Sequence, residues 1–287
     1  MRVGTMLEAA ATCLVLAAAL ILAPTSAARA QSGKPPTVAP DRCLAMSQAP
    51  ARTRFGGIAP PSLIALAQLK PGDVRISYVG HSTFLMETPR GVRIATDYND
   101  YVRPAVVPEI ATMNRAHTTH YTNSPDPSIQ HVLRGWNPEG GAAQHDITLG
   151  DVRVRNIPTN IRSYSGGTDI WGNSIFVFEV ANLCIGHLGH LHHTLTTQQL
   201  AQIGQLDIVL VPVDGSFTLD VVGMVEVLKA LRAPLMIPMH YFSSYTLERF
   251  MHEARQAFEV EMSEVPTVVV SRTTLPKTPK ILVLPGN

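Results

Sequence analysis

Four histidines crowd the eight residues Gly186-His187-Leu188-Gly189-His190-Leu191-His192-His193, directly after an apolar stretch over 174–185 that reads as buried strands. Imidazole is the commonest metal ligand in proteins, and several neutral imidazoles at a strand end suit a transition-metal ion. Two further groups, His117-Thr-Thr-His120 and Pro238-Met-His240-Tyr241, also stand where apolar segments give way to loops. Three strand ends meeting at one ion would account for all three groups together. For any one of these histidines alone, a hydrogen-bonded core or surface role is the commoner outcome.

The segments that must position these residues begin after a leader. Residues 1–30 have signal-peptide order: Arg2, an apolar block over 9–23, then Ala28-Arg29-Ala30 before Gln31. The block is shorter than the roughly twenty residues that span a bilayer. No second apolar run reaches that length, so no stable membrane insertion is expected once the leader is cleaved, and the expected location is periplasmic or secreted. Cleavage leaves 257 of the 287 residues, enough for one large domain with a substantial core. It also removes Arg2, Glu8 and Arg29, taking the formal charge from +1 to zero. With no Lys/Arg run, nucleic acid and anionic membrane surfaces are poor partners, and a small-molecule substrate is the expected one. Cys13 leaves with the leader, while Cys43 and Cys184 remain in a compartment that permits a disulfide. Two separate buried thiols are the alternative, because sequence does not show whether their Cα atoms come within bridging distance.

Residues 31–72 read as an extension, rich in Pro, Ser and Gly at its start and ending in a short helical pattern over 62–69. Strands are expected at 74–79, 83–88 and 92–97, with Pro89-Arg-Gly91 turning between the last two. Further strands are expected at 152–157, 174–180, 183–185, 208–212, 235–238, 267–270 and 281–284, and helices at 197–203, 219–231 and 246–258. Strands dominate the first half and helix–strand alternation the second, which suggests two layered sheets with helices outside.

At these residues the chain resembles the metallo-β-lactamase fold superfamily, in particular its branch of bacterial metallo-hydrolases related to ascorbate-phosphate lactonases. The resemblance is carried by Ile76-Ser-Tyr-Val-Gly-His81-Ser-Thr-Phe-Leu, Ile94-Ala-Thr-Asp97 and the His117/His120 loop. It continues in Asn173-Ser-Ile-Phe with His187-Leu-Gly-His190-Leu, in Asp207-Ile-Val-Leu-Val-Pro-Val-Asp-Gly215 and in Ile237-Pro-Met-His240-Tyr241. It implies an α/β fold, a four-layer αββα sandwich, over 73–287.

The resemblance also exposes a departure. Where the family has a loop of the form T/S-H-x-H-x-D-H, this chain has Asn114-Arg115-Ala116-His117-Thr118-Thr119-His120, so the first His is Arg115 and the Asp is Thr119. No His stands near Asn160 or Ile161, where the next ligand would fall, and the family's bridging Asp is His190. The final His survives as His240. The pattern implies a mononuclear site with His120, His190 and His240 as ligands, and His117 as either a fourth ligand or the general base. Zinc is the metal the family suggests, although a His-only set also suits Cu, Ni or Fe. Loss of a bridging carboxylate disfavours two ions.

Around that core, Asp97 resembles the acid that orients the ligand loop, with a turn cap as the plainer reading. His81 is expected to face the cavity or to close a hydrogen bond beneath it, and His187, His192 and His193 to support the ligands. Arg115 and Arg162 are candidates for clamping an anionic substrate, or for ordinary ion pairs. Tyr241 could donate to an oxyanion. Two functions follow. One is a secreted hydrolase whose metal-bound hydroxide attacks an ester, lactone or phosphodiester. The other is a catalytically silent relative that binds a metal or small ligand, or an envelope interaction protein.

Overall fold

The computed structural model describes residues 42–45 and 69–286. The leader, most of the extension and almost all of the helix expected over 62–69 lie outside the described residues.

Two mixed sheets face each other. The first runs β13-β1-β2-β3-β4-β5, with β1 Val74–Gly80, β2 Thr83–Glu87, β3 Arg93–Ala95, β4 Ile110–Met113, β5 His131–Arg134 and β13 Thr267–Val270. The second runs β12-β14-β11-β10-β9-β8-β7-β6. Its strands are β6 Asp146–Leu149, β7 Val152–Arg162, β8 Thr168–Val180, β9 Leu183–His187, β10 Ile208–Pro212, β11 Leu235–Met239, β12 Glu259–Met262 and β14 Lys280–Val283. This is the layered α/β architecture expected from the sequence.

Period-two alternation sorts the core. Ile208 and Leu210 of β10 face Ile76, Phe84 and Ile94 between the sheets, while Val209 and Val211 face outward onto helices. Those helices are α2 Thr197–Ile203, α3 Val221–Leu231 and α4 Ser244–Ala254, whose buried residues Ile203, Met224, Leu228 and Phe250 cover the larger sheet. Thr196 and Ser243 open α2 and α4 with capping boxes, and Asp220 caps α3 through the Gly223 N–H. None of these helices is long and apolar enough to cross a membrane.

The short helix α1, Arg42–Ala45, is tied to the larger sheet by a disulfide between Cys43 and Cys184, with Cα atoms 5.8 Å apart. That settles the alternative left open above. Strands β9, β10 and β11 are parallel neighbours, as are β3, β4 and β5. In such runs, ligands bind beyond the carboxyl ends of the strands. The histidines lie there.

Candidate metal centre

The chain turns sharply where three of the site residues leave their strands. His81 follows β1, Asp97 follows β3 and His240 follows β11, and all three have positive φ, at 51°, 42° and 58°. Non-glycine residues seldom take this conformation, which costs on the order of 1–3 kcal/mol and persists only where the surroundings impose it. Here they do. The Tyr78 hydroxyl and the His240 N–H both donate to the His81 carbonyl, at 2.8 and 2.6 Å, locking β1 to β11 at the site. Asn99 Nδ2 and Thr83 Oγ1 donate to the Asp97 carbonyl.

Donor nitrogens of His81, His120 and His240 lie within 4.8 Å of one another. His120 and His240 are fully buried, their Nε2 atoms 3.1 Å apart. Behind each stands a carboxylate: His120 Nδ1 donates to Asp97 Oδ2 at 2.5 Å, and His240 Nδ1 to Asp214 Oδ1 at 3.0 Å. A carboxylate only accepts, so each imidazole carries its proton on Nδ1 and presents the Nε2 lone pair to the other. Two lone pairs at that separation suit a shared cation, since nitrogens about 2.0–2.1 Å from one tetrahedral ion stand roughly 3.3 Å apart. His81 Nε2 is buried with no hydrogen-bond partner among the described residues. A buried polar atom of this kind calls for an explanation, and a metal ion supplies one.

The electrostatics agree. Burial, reinforced by His240 and His117, lowers the His81 pKa to about 3, and burial among other imidazoles holds His120 well below its usual value. These rings are therefore neutral, the state in which they ligate. Burial raises Asp97 to about 6, which leaves it ionised at neutral pH. Burial also acts to raise Asp214, but hydrogen bonds from His240, Thr218 and Ser216 outweigh it and hold the carboxyl well below the usual range.

Residues 75–240 match the family described as a beta-lactamase superfamily domain, which covers more than half of the chain. The chain belongs to the metallo-β-lactamase superfamily. A UPF0173 metal-dependent hydrolase of Thermoplasma volcanium is 28% identical over 199 residues, 59% of this chain and 84% of that protein. Another, of Methanosarcina mazei, is 21% identical over 213 residues, 66% and 93% of the two chains. Among solved structures, one from Thermotoga maritima, described as a Zn-dependent hydrolase of this superfamily, has TM-score 0.55 and 26% identity. It covers 75% of this chain and 100% of that one. Igni18, a metallo hydrolase of Ignicoccus hospitalis, shares the fold at TM-score 0.51 and 19% identity, over 69% and 99% of the two chains.

Within this superfamily member, the trio of converging donors differs from the one expected, with His81 in place of His190. The Gly80-His81 turn brings the His81 ring inward, 4.2 Å from that of His240 between centroids. His190 sits beside the trio, its ring 4.7 Å from that of His120 and 4.8 Å from that of His240. Its Nδ1 meets His192 Nε2 at 2.5 Å, and its Nε2 is buried without a partner. His117 is half-buried next to His190, its Nδ1 2.6 Å from the Tyr164 hydroxyl. A cleft of about 330 Å³ opens here, lined by Arg115, His117, Arg162, Tyr164, His192 and Phe217 among others.

Other expectations are placed as follows. Asp97 orients His120 and accepts from Asn114 Nδ2. His187 lies beneath the site: Gly189 N–H donates to its Nδ1, and its Nε2 donates to the Ser82 carbonyl. His193 is exposed, its ring 6.3 Å from that of His192 between centroids. Arg162 spends one guanidinium nitrogen on the carbonyls of Ser216, Phe217 and Thr218, holding that loop rather than clamping an anion with it. The Arg115 guanidinium is exposed at the cleft, with no ion pair among the described residues. Tyr241 is a correction: its hydroxyl donates to the Leu284 carbonyl, toward the C-terminal strand, and not to the histidines.

Sequence reasoning assigned no role to Asp214, Asn114 or Ser82. Asp214 was signalled by its place at the end of the parallel strand beside β11, followed by Gly215. Asn114 ties Asp97 to the Ser174 N–H of β8, and Ser82 Oγ lies 3.0 Å from His120 Nδ1.

Proposed function

We propose that the protein is an extracytoplasmic metal-dependent hydrolase holding one divalent cation, preferably zinc, on His81, His120 and His240. The observation that carries this reading is the convergence of three imidazoles, two of them fully buried and backed by carboxylates. When bound, such an ion polarises a carbonyl or phosphoryl oxygen and activates water. The metal-dependent hydrolases among its relatives support the reaction class, and the Cys43–Cys184 disulfide supports an oxidising compartment.

The chain's own residues supply the rest. Asp97 and Asp214 fix the tautomers and directions of His120 and His240. The cleft beside His117 has the size of a small-molecule site and a single unpaired guanidinium, Arg115, to favour an anionic group on the substrate. His117, half-buried at its rim, accepts the proton released as water attacks, the Tyr164 hydroxyl fixing its ring. Esters, lactones and phosphodiesters with a nearby carboxylate or phosphate are the substrates this arrangement favours.

Elemental analysis of protein purified without chelator should give near one zinc per chain, lost in a His120→Ala, His240→Ala double variant, together with hydrolysis of at least one such class. A folded protein that takes up no metal from added zinc would overturn the hydrolase reading and favour the silent one.

A further inference from the structure

The protons around His190 can be followed one hydrogen bond at a time. The Arg162 backbone N–H donates to His192 Nδ1 at 2.9 Å, so that nitrogen is an acceptor and carries no proton. Neutral His192 must then carry its proton on Nε2. That atom faces His190 Nδ1 at 2.5 Å, so His190 Nδ1 is in turn the acceptor. Neutral His190 is left with its proton on Nε2, the buried atom that has no partner among the described residues. The logic is the reverse of that at His120 and His240. A carboxylate behind an imidazole aims a lone pair into the site, whereas an imidazole whose own acceptor is already filled aims an N–H there.

From this we infer that His190 is not a metal ligand but a hydrogen-bond donor, its Nε2–H aimed at the negative charge that develops on a substrate oxygen, with His192 and the Arg162 backbone as its positioning groups. The inference rests on the hydrolase reading for the identity of the acceptor, an oxygen of a carbonyl or phosphoryl centre under attack. The assignment of the proton does not depend on that reading. The site supports the role in three ways. His190 Nε2 is buried, so its dipole acts in a low dielectric and needs no reorganisation. His190 borders both the metal trio and His117, at ring separations of 4.7 to 4.8 Å. Its backbone is fixed, because its N–H donates to Asn173 Oδ1 at 2.7 Å and the preceding Gly189, at φ +60°, leaves no room for a side chain against Asn114 and Asn173.

Long-range ¹⁵N–¹H correlation of the imidazole rings in the full chain, metal-free and zinc-loaded, tests the assignment directly. His190 is expected with Nε2 protonated and Nδ1 bare in both states, and His120 and His240 with the opposite pattern. Zinc titration of His190→Asn should give an affinity within about threefold of wild type, while His120→Asn loses at least about a hundredfold. On a substrate turned over by wild type, His190→Asn should lower kcat by about 10²–10³-fold with KM little changed. His192→Phe, which leaves His190 Nδ1 without its donor, should let the tautomer redistribute and lower kcat while zinc is retained. A His190 protonated on Nδ1, or a His190→Asn variant that loses zinc as His120→Asn does, would overturn the inference even if hydrolysis were confirmed. Failure to bind zinc at all would sink the functional reading and leave the tautomer result standing.

Discussion

Cutting the Cys43–Cys184 bridge should release α1 from the sheet that carries His187 and leads to His190. The bridge closes a loop with a sequence separation of 141 residues. Both cysteines are fully buried, Cys184 within β9 and Cys43 packed against α2, where Gln205 N–H donates to the Cys43 carbonyl at 3.2 Å. In the chain-entropy account, a loop of this length removes about 17 cal/mol/K from the unfolded ensemble, or about 5 kcal/mol at 25 °C. Measured values commonly fall to about 2–4 kcal/mol, because the unfolded chain is not structureless. The expected loss is therefore about 3–5 kcal/mol, and with about 2–4 °C per kcal/mol for a chain of this size the midpoint falls by roughly 6–20 °C. Urea unfolding with chelator present, so that metal linkage does not enter, should compare the oxidised protein, the same protein reduced, and Cys43→Ala/Cys184→Ala. The reduced protein keeps both sulfurs and so separates the loop effect from the small cavities in the double variant. A reduced protein within about 1 kcal/mol of the oxidised form would refute the reasoning, since most of the loop entropy would then be missing.

Asp214→Ala should weaken zinc binding about 10–100-fold, as loss of a carboxylate behind a ligating histidine does, and should loosen the 216–218 loop whose amides it caps; a titration matching wild type would contradict the orienting role. Gly189→Ala places a Cβ 2.4 Å from Asn114 Nδ2 and Asn173 Oδ1 in a left-handed backbone, so a loss of about 2–5 kcal/mol in urea unfolding is expected. Metal-free protein should lose stability as the pH falls below 6.5, because His81 and His192, both at about 3 when folded, stay neutral while the unfolded chain takes up their protons. Asp97, raised to about 6, and Asp207, also raised, oppose this because they bind a proton in the folded state first, but His117, His120, His187, His190 and His193 are lowered as well and act with His81 and His192; a urea midpoint that rises from pH 6 to pH 4.5 would reject the sign.

Much of the scaffold was legible because buried strands announce themselves by composition. The runs at 208–212 and 235–238 are apolar on both faces, and β10 and β11 appear there. Weak strands were not legible: β5, β6 and β12 are short and polar, and they exist because a neighbour offers a pairing edge. The extension of β7 to Arg162 depends on a bulge between Thr159 and Ile161 that no pattern in the sequence marks. At the site, His240 and Asp97 were readable because they follow strand ends, and His120 because it stands with His117 in the loop after β4. His81 was ambiguous because its inward direction is set by a positive-φ turn stitched to His240, a long-range contact. Tyr241 misled because adjacency in sequence says nothing of direction: its hydroxyl donates to the Leu284 carbonyl.

The one-ion reading proposed above fits the charges around the trio. A divalent ion on His81, His120 and His240 has two carboxylates, Asp97 and Asp214, each one imidazole away, so its charge is balanced within a buried environment where an unbalanced charge is costly. Beside the trio stand His190, the donor inferred above, and His117, with the positive Arg115 lining the adjoining cleft. A second cation there would meet an N–H and a guanidinium in place of lone pairs. In the reading in which His190 stands where the family has a bridging acid, the exchange would do more than remove one ligand. It would put an N–H donor suited to an anion where the negative charge of a reacting substrate would accumulate.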